Sequence, residues 1–105
     1  MNQWIYILRP TRAEMLTEGP TDQEKETVGK HFAYLQDLTE KGTIILVGRT
    51  QVNDARTLGL CVYRAETEED AHAIMVNDPA IVAGVMSGEL FPFRVALAGQ
   101  FPVAD

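Results

Sequence analysis

The sequence contains few of the residues that mark secreted, membrane or redox-active proteins. Its 105 residues include one cysteine, Cys61, so no intramolecular disulfide can form. Cys61 lies in a strand-like stretch, and we interpret it as a small buried hydrophobic residue and not as a nucleophile. No apolar run is long enough to cross a bilayer, and the start MNQWIYILRP lacks the parts of a signal peptide. We therefore expect a cytoplasmic protein with one domain, residues 1–105, and no membrane partner.

Positive charge is scarce as well. Nine Lys and Arg stand against fifteen Asp and Glu, which gives a formal net charge of −6, and no run of basic residues forms a local patch. Affinity for nucleic acid depends on contacts with phosphates, so we expect no nucleic-acid partner. No Gly-rich phosphate loop is present for a dinucleotide, and the only serine, Ser87, falls in a predicted turn. We therefore expect no cofactor and no serine nucleophile.

What the sequence does contain is a regular alternation of strand and helix signals. Thr21 and Glu24 have the spacing of a capping box, and Gly42 ends the helix that they begin. Thr67 and Asp70 repeat the N-terminal signal for a second long helix. The predicted elements are a strand at 4–8, a helix from 21 to about 41, strands at 43–48 and 58–65, a helix from about 67, a short helix at about 79–84 and a strand at 90–98.

This order, β-α-β-β-α-β, predicts an α+β fold of the ferredoxin-like type, in which a four-stranded antiparallel sheet carries two helices on one face. The first strand, WIYIL, is apolar at both odd and even positions, which is typical of a strand buried on both sides. The sheet face without helices would then be an apolar patch, and such patches usually mark an interface. We therefore expect a homodimer in which two sheets pack face to face.

Two polar residues fall on the apolar stripes of the helices. In the first long helix, Val28, Phe32, Leu35 and Leu38 form the stripe, and His31 lies within it. A buried imidazole needs partners, because an unsatisfied polar group costs about 1–3 kcal/mol. The histidine is therefore predicted to point inward towards a partner.

The second long helix supplies a candidate partner. Ala71, Ile74 and Met75 form its stripe, and Asp78 is the next position on that stripe, whereas His72 lies off it and is predicted to be solvated. Both helices cover the same sheet face, so we expect Asp78 to accept a hydrogen bond from His31 and fix the tautomer of its ring. Two simpler interpretations stay open: His31 bonded to a backbone carbonyl in the core, and Asp78 acting only as an N-cap before Pro79.

The stretches HFAYLQDLTEKGTIILVG and AETEEDAHAIMVNDPAIVAGV, with the closing FPF, resemble the YciI-like (YCII-related) family of the dimeric α/β-barrel superfamily. The resemblance covers nearly the whole chain. It implies a ferredoxin-like protomer, a dimer and a pocket with a His–Asp dyad, at His31 and Asp78. Some relatives resemble dehydrochlorinases that eliminate HCl from chlorinated hydroxyquinols without a cofactor. This chain departs from the family pattern at Arg49, where relatives often carry Pro, and in a longer connector, RPTRAEMLTEGPTDQE.

Together these features predict a cofactor-independent enzyme that performs acid/base chemistry of the elimination, isomerisation or lyase type on a small acidic or aromatic molecule. His31 and Asp78 would be the catalytic pair, and Arg9 or Arg49, at the ends of the first two strands, would bind an anionic substrate. The alternative is a non-catalytic protein that binds a small molecule or has an accessory role. A metal site is not expected, because one inward histidine and one inward aspartate give only two of the three or four ligands that zinc sites use.

Overall fold

The first strand, β1 (Asn2–Pro10), has a neighbour on both sides in the sheet of the computed structural model, which describes residues 2–100. The remaining elements follow as α1 (Glu14–Thr17), α2 (Asp22–Glu40), β2 (Ile44–Arg49), β3 (Gly59–Ala65), α3 (Glu68–Val76), α4 (Pro79–Val82) and β4 (Met86–Phe93). The strand order is β2-β3-β1-β4, and every neighbouring pair is antiparallel. The predicted ferredoxin-like α+β fold is confirmed.

The side chains of β1 divide between the two faces of the sheet. Trp4, Tyr6 and Leu8 are buried under the helices, whereas Ile5 and Ile7 are only half-buried on the opposite, open face. The register continues this division across the sheet. The row at the level of Tyr6 contains Val47, Cys61, Tyr6 and Leu90, and the next row contains Arg49, Gly59, Leu8 and Gly88.

The two long helices begin as their capping residues indicate. Thr21 and Glu24 form both hydrogen bonds of a capping box at the start of α2, and the Thr67 side chain accepts from the backbone N–H of Asp70 at the start of α3. Gly42 follows α2 with a φ of 80°, a conformation that glycine adopts without strain. The chain can therefore turn sharply into β2.

The predicted bounds of the last strand were wrong. It was placed at 90–98, but β4 runs from Met86 to Phe93, because it pairs with β1 from Pro10 back to Gln3, next to the start of β1. Ser87, predicted to lie in a turn, is therefore part of β4. The connector after β1, in which no element was predicted, contains the single-turn helix α1. Pro92 lies in an edge strand, as its missing N–H indicated.

The open face of the sheet is apolar, as expected from the two-sided strands. Its large side chains include several that are partly exposed in the protomer: Ile5, Ile7, Leu46, Leu60, Phe91 and Phe93. Within residues 2–100, no helix is long and apolar enough to cross a membrane. The organisation of residues 1–105 as one domain stays a prediction, since residues 1 and 101–105 lie outside the described part.

Candidate functional site

A cleft with a volume of about 790 Å³ opens between α2, the connector that follows β1 and the ends of β2 and β3. Its walls are mostly apolar, and His31 is the only histidine that lines it. The lining side chains on which the site depends are Leu8, Met15, Leu16, Lys25, His31, Phe32, Leu35, Val47, Arg49 and Met86. The cleft thus has the size and the apolar lining that are usual for small-molecule sites.

His31 reaches the floor of this cleft from the middle of α2. Its Nδ1 atom lies 2.7 Å from Oδ1 of Asp78, and 13% of its side chain is exposed. Both oxygens of Asp78 accept hydrogen bonds from other donors, so we assign Nδ1 as the donor in this pair. Within residues 2–100 no hydrogen bond joins Nε2, which is therefore the ring nitrogen left to meet a ligand.

Asp78 is fully buried, and it is held by three elements of the fold. Oδ1 accepts from the Ala80 N–H at 2.9 Å as well as from His31, so the side chain caps α4 while it binds the imidazole. Oδ2 accepts from the hydroxyl of Tyr6 at 2.8 Å. These donors satisfy the buried carboxylate and fix its position behind His31. The N-cap and the contact with His31 occur together, so Asp78 is more than a cap.

Tyr6 is the residue that sequence reasoning missed. Its ring packs edge-on against Tyr63, with centroids 5.4 Å apart, and its hydroxyl ends on Asp78. Burial, with the nearby Cys61 and Asp78, raises the pKa of Tyr6 far above its ordinary value, so the hydroxyl stays a hydrogen-bond donor. The alternation of WIYIL already placed Tyr6 on the helix side beside Trp4, and the need of a buried tyrosine for a partner was the available signal.

Cys61 and Tyr34 lie near the same carboxylate but form no hydrogen bond with it. Burial raises the pKa of the Cys61 thiol to about 12, so it is no thiolate nucleophile at neutral pH, which agrees with its interpretation as a buried hydrophobic residue. Burial likewise raises the pKa of Tyr34 to about 12, and its hydroxyl donates to the carbonyl of Ile74 at 2.7 Å. Neither group is available for acid/base chemistry near neutral pH.

The two arginines predicted to bind substrate lie on different faces of the sheet. Arg49 is on the helix side and lines the cleft. Arg9 is on the open face, where it forms an ion pair with Glu89 at 3.6 Å, and it does not line the cleft. Side chains alternate between the two faces along a strand. Arg9 directly follows Leu8 and therefore lies on the opposite face, whereas Arg49 is in the same row as Leu8 and lies on the same face. The role predicted for Arg9 stays a prediction, without support from the geometry of the protomer.

Phe32 was predicted to be part of the core, and this was wrong. Its side chain is 65% exposed, and it forms part of the rim of the cleft. The buried stripe of α2 instead passes through Thr27, His31 and Leu35. Phe32 lies about 100° around the helix from His31, so it emerges where the sheet no longer covers α2. The exposed position of His72 agrees with its prediction.

The connector after β1 forms the outer wall of the cleft. Met15 and Leu16 of α1 line it. Arg12 connects this segment to α2, because its guanidinium donates two hydrogen bonds of 2.6 and 2.9 Å to Glu24. The bonds from Arg12 lower the pKa of Glu24 to about 2. Since Glu24 also completes the capping box of α2, the wall of the cleft and the start of that helix share one carboxylate.

The described part of the chain contains no group of three His, Cys, Asp or Glu side chains that lie close enough together to hold a metal ion.

Comparison with known proteins identifies the family. The model of the YCII-related domain matches residues 4–94. A solved structure with a similar fold is the 5-chloro-2-hydroxyhydroquinone dehydrochlorinase TftG from Burkholderia phenoliruptrix, in complex with 2,5-dihydroxybenzoquinone; its TM-score is 0.63, its sequence identity is 22%, and the similarity covers 87% of this chain and 93% of that one. No curated protein sequence matches. The match over residues 4–94 shows that the chain belongs to the YCII-related family.

Proposed function

We propose that the protein is a cofactor-independent enzyme that removes a proton from a small acidic or aromatic molecule in the cleft. His31 is the general base through Nε2, and Asp78 is a positioning residue that holds Nδ1. The observation that carries the proposal is the division of roles between the two ring nitrogens: Nδ1 is bonded to a buried carboxylate, and Nε2 belongs to a side chain that lines the cleft. This is the arrangement that a histidine base needs.

The chemistry follows from the charge on each atom. The lone pair of Nε2 takes a proton from carbon or oxygen of the substrate, and the carboxylate of Asp78 stabilises the imidazolium that forms. The electron pair left on the substrate then expels a leaving group, in an elimination, or takes a proton at another atom, in an isomerisation. A positioned base contributes roughly 10²–10⁴-fold to the rate, which suits substrates whose proton is already acidic.

The structural neighbour TftG supports an elimination. Its name describes a dehydrochlorinase that acts on a chlorinated hydroxyhydroquinone, a small acidic aromatic molecule. Loss of HCl from such a ring is a proton removal followed by departure of chloride, and needs no redox cofactor. Arg49 lies on the wall of the cleft, in position to attract the anionic form of a substrate.

A second candidate is a non-catalytic binding protein, and one observation favours it. Asp78 joins β1, α2 and the start of α4 through Tyr6, His31 and Ala80, so the His31–Asp78 contact also cross-links the fold. A pair with that structural role would be retained in a protein that binds a ligand without changing it.

The assembly proposed for either function is a homodimer formed through the open face of the sheet. Phe91 and Phe93 are both 41% exposed there, and Leu46 is 40% exposed. Burial of such side chains between two sheets contributes roughly 25 cal/mol per Å² of apolar surface removed from water. We also keep the cytoplasm as the predicted location.

The test is the exchange of carbon-bound hydrogens for solvent deuterium in a panel of small hydroxylated aromatic and carboxylic acids. Halogenated members are included so that halide release is also seen. Exchange reports proton removal even when the full reaction is unknown. His31→Asn keeps an N–H near the position of Nδ1 and removes the base at Nε2. His72→Asn is the matched control, because it alters the exposed histidine.

The proposal predicts exchange or halide release for members of the panel with the wild-type protein and with His72→Asn, and a loss of at least about 100-fold with His31→Asn. If panel members bind in the cleft but none exchanges or loses halide, the binding function is correct and the catalytic one is not.

A further inference from the structure

The electrostatic character of the cleft is opposite to that of the molecule. The chain has a formal net charge of −6, yet no aspartate or glutamate lines the cleft within residues 2–100. Two basic residues do line it, Lys25 from α2 and Arg49 from the end of β2. A local excess of positive charge between apolar walls raises the concentration of small anions there.

Neither of these cations is neutralised by the protein. Within the described residues, Lys25 and Arg49 take part in no ion pair, and the guanidinium of Arg49 makes only one hydrogen bond, from Nε to the carbonyl of Thr50. Five other basic residues of the chain do form ion pairs with carboxylates: Arg9, Arg12, Lys30, Lys41 and Arg56. Both side chains are exposed at the cleft, so they are free to pair with the charge of a ligand that enters it.

The two cations lie on different elements of the cleft wall. Lys25 and Phe32 are seven residues apart on α2 and share one side of the helix, so Lys25 lies about two turns from the rim at Phe32, towards the connector. Arg49 is one row further along the sheet than Val47, and Val47 shares its row with Tyr6, whose hydroxyl binds Asp78. Lys25 and Arg49 therefore line different walls of the cleft, and both are exposed, whereas only 13% of the His31 side chain is exposed.

The volume of the cleft limits the size of the ligand. About 790 Å³ accommodates a ligand whose body is one ring with a small substituent. Its body lies against Leu8, Leu35 and Val47, which are apolar.

From these observations we infer that the cleft binds a small organic carboxylate, whose anionic group lies between Lys25 and Arg49 and whose apolar body extends to His31. The inference rests on the proposed function for the role of His31, but the binding of the carboxylate does not. It adds Lys25, which no sequence pattern singled out, and it names the ligand class as an apolar acid that carries its charge at the end away from the reacting atom.

The experiment is a titration of the full-length protein, followed by NMR and calorimetry, with three probes. The first is 2-hydroxybenzoate, which has an aromatic body and a carboxylate. The second is 2-hydroxybenzyl alcohol, which has nearly the same shape without the charge, and the third is inorganic phosphate, which has the charge without the body. The variants are Lys25→Gln and Arg49→Gln, and the matched control is Lys30→Gln, on the same helix, where Lys30 pairs with Glu26 in solvent.

We expect 2-hydroxybenzoate to bind in the cleft and to bind about tenfold more weakly to each of Lys25→Gln and Arg49→Gln, a difference of about 1.4 kcal/mol. Lys30→Gln should bind it as the wild type does. The alcohol and phosphate should bind at least about tenfold more weakly than 2-hydroxybenzoate, and added salt should weaken only the charged probes.

Three results would overturn the inference. One is saturation of the cleft by the alcohol at the same concentration as by 2-hydroxybenzoate, and another is unchanged affinity in both cleft variants. The third is no saturable shift with 2-hydroxybenzoate up to about 10 mM, which corresponds to a binding free energy weaker than about −3 kcal/mol. None of these results depends on turnover, so loss of the carboxylate site and loss of the catalytic role of His31 are separate outcomes.

Discussion

The hydroxyl of Tyr6, in the middle of β1, donates a 2.8 Å hydrogen bond to the carboxylate of Asp78, seventy-two residues later in the chain. Through this bond the innermost part of the sheet supports the group that holds His31. Both Tyr6 and Asp78 are fully buried, so no water replaces the hydroxyl if it is removed.

Removal of that hydroxyl should be costly. We expect Tyr6→Phe to lower the free energy of unfolding by about 1–3 kcal/mol, because Oδ2 of Asp78 keeps its burial and loses its donor. Urea unfolding measures the change. The control is Tyr34→Phe, which removes a hydroxyl from the neutral carbonyl of Ile74 in a half-buried position and should cost less. Equal losses in the two variants would show that Asp78 does not depend on Tyr6.

The exposure of Phe32 reverses an expectation based on the sequence. Phe32→Ala should change the free energy of unfolding by less than about 1 kcal/mol, since a side chain that is 65% exposed buries little. Leu35→Ala, three residues on and 4% exposed, should cost about 2–5 kcal/mol. Phe32→Ala should instead weaken binding of aromatic probes at the rim of the cleft. A large loss of stability in Phe32→Ala would contradict the placement of the helix.

The ion pair between Arg12 and Glu24 makes stability depend on pH in the acid range. The bonds from Arg12 lower the pKa of Glu24 from 4.5 to about 2, so the carboxylate stabilises the folded state fully above pH 4.5. That contribution decreases as the pH falls and is lost through pH 2. Glu24→Gln should therefore be less stable than the wild type at pH 7, and the gap should close near pH 2. Glu26→Gln, which alters an exposed pair, should show a much smaller gap at every pH.

Gly88 marks a tight contact between β4 and the helices above it. A Cβ atom there would lie 2.8 Å from Cδ1 of Ile81 and 3.0 Å from Sδ of Met75. Both atoms are at the ends of flexible side chains, so Gly88→Ala should cost about 1–3 kcal/mol and not unfold the protein. Gly29→Ala is the opposite case, because nothing lies within 4 Å of its Cβ position inside α2, and it should stabilise by about 0.5–1 kcal/mol. Thermal melts of the two variants should move in opposite directions.

The homodimer is tested by sedimentation. We expect twice the chain mass at micromolar concentration, and a monomer for Phe91→Glu, which places a charge on the open face. Val82→Glu is the control, because Val82 is an exposed apolar residue of α4, away from that face. A wild-type protein that sediments as a monomer would contradict the assembly.

The parts of the site that local sequence patterns encode could be predicted. The inward direction of His31 follows from helix periodicity, and the start of α2 from its capping box. Asp78 is inward as expected, but α3 ends at Val76, so its direction comes from its position as the N-cap of α4 and not from the stripe of α3. The meeting of the two side chains was expected because both helices cover the same sheet face, but the geometry of the contact did not follow, because His31 is midway along α2 whereas Asp78 lies beyond the end of α3. The turn before Pro79 brings the carboxylate to the imidazole. Only the tertiary packing of three elements determines that distance.

Other parts of the fold and the site depend on the pairing of strands that are distant in the sequence, and the residues of a single strand do not determine that pairing. The bounds of β4 are set by where β1 begins, and the side of the sheet on which Arg9 lies is set by the strand register. The single-turn α1 has no side-chain cap and too few residues for a periodic pattern. Lys25 is an exposed lysine among charged neighbours in the sequence, and only the fold shows that it lines the cleft together with the connector.

The most direct measurement of the central claim is the protonation of each ring nitrogen of His31 by ¹⁵N NMR, in the neutral form of the ring, with the exposed His72 as internal reference. If Asp78 holds Nδ1 and Nε2 is the base, then Nδ1 of His31 carries the proton and Nε2 is unprotonated. Addition of 2-hydroxybenzoate should then shift the Nε2 resonance while Nδ1 keeps its proton. A ring with its proton on Nε2, or one whose two nitrogens resemble those of His72 and do not respond to the probe, would contradict the account.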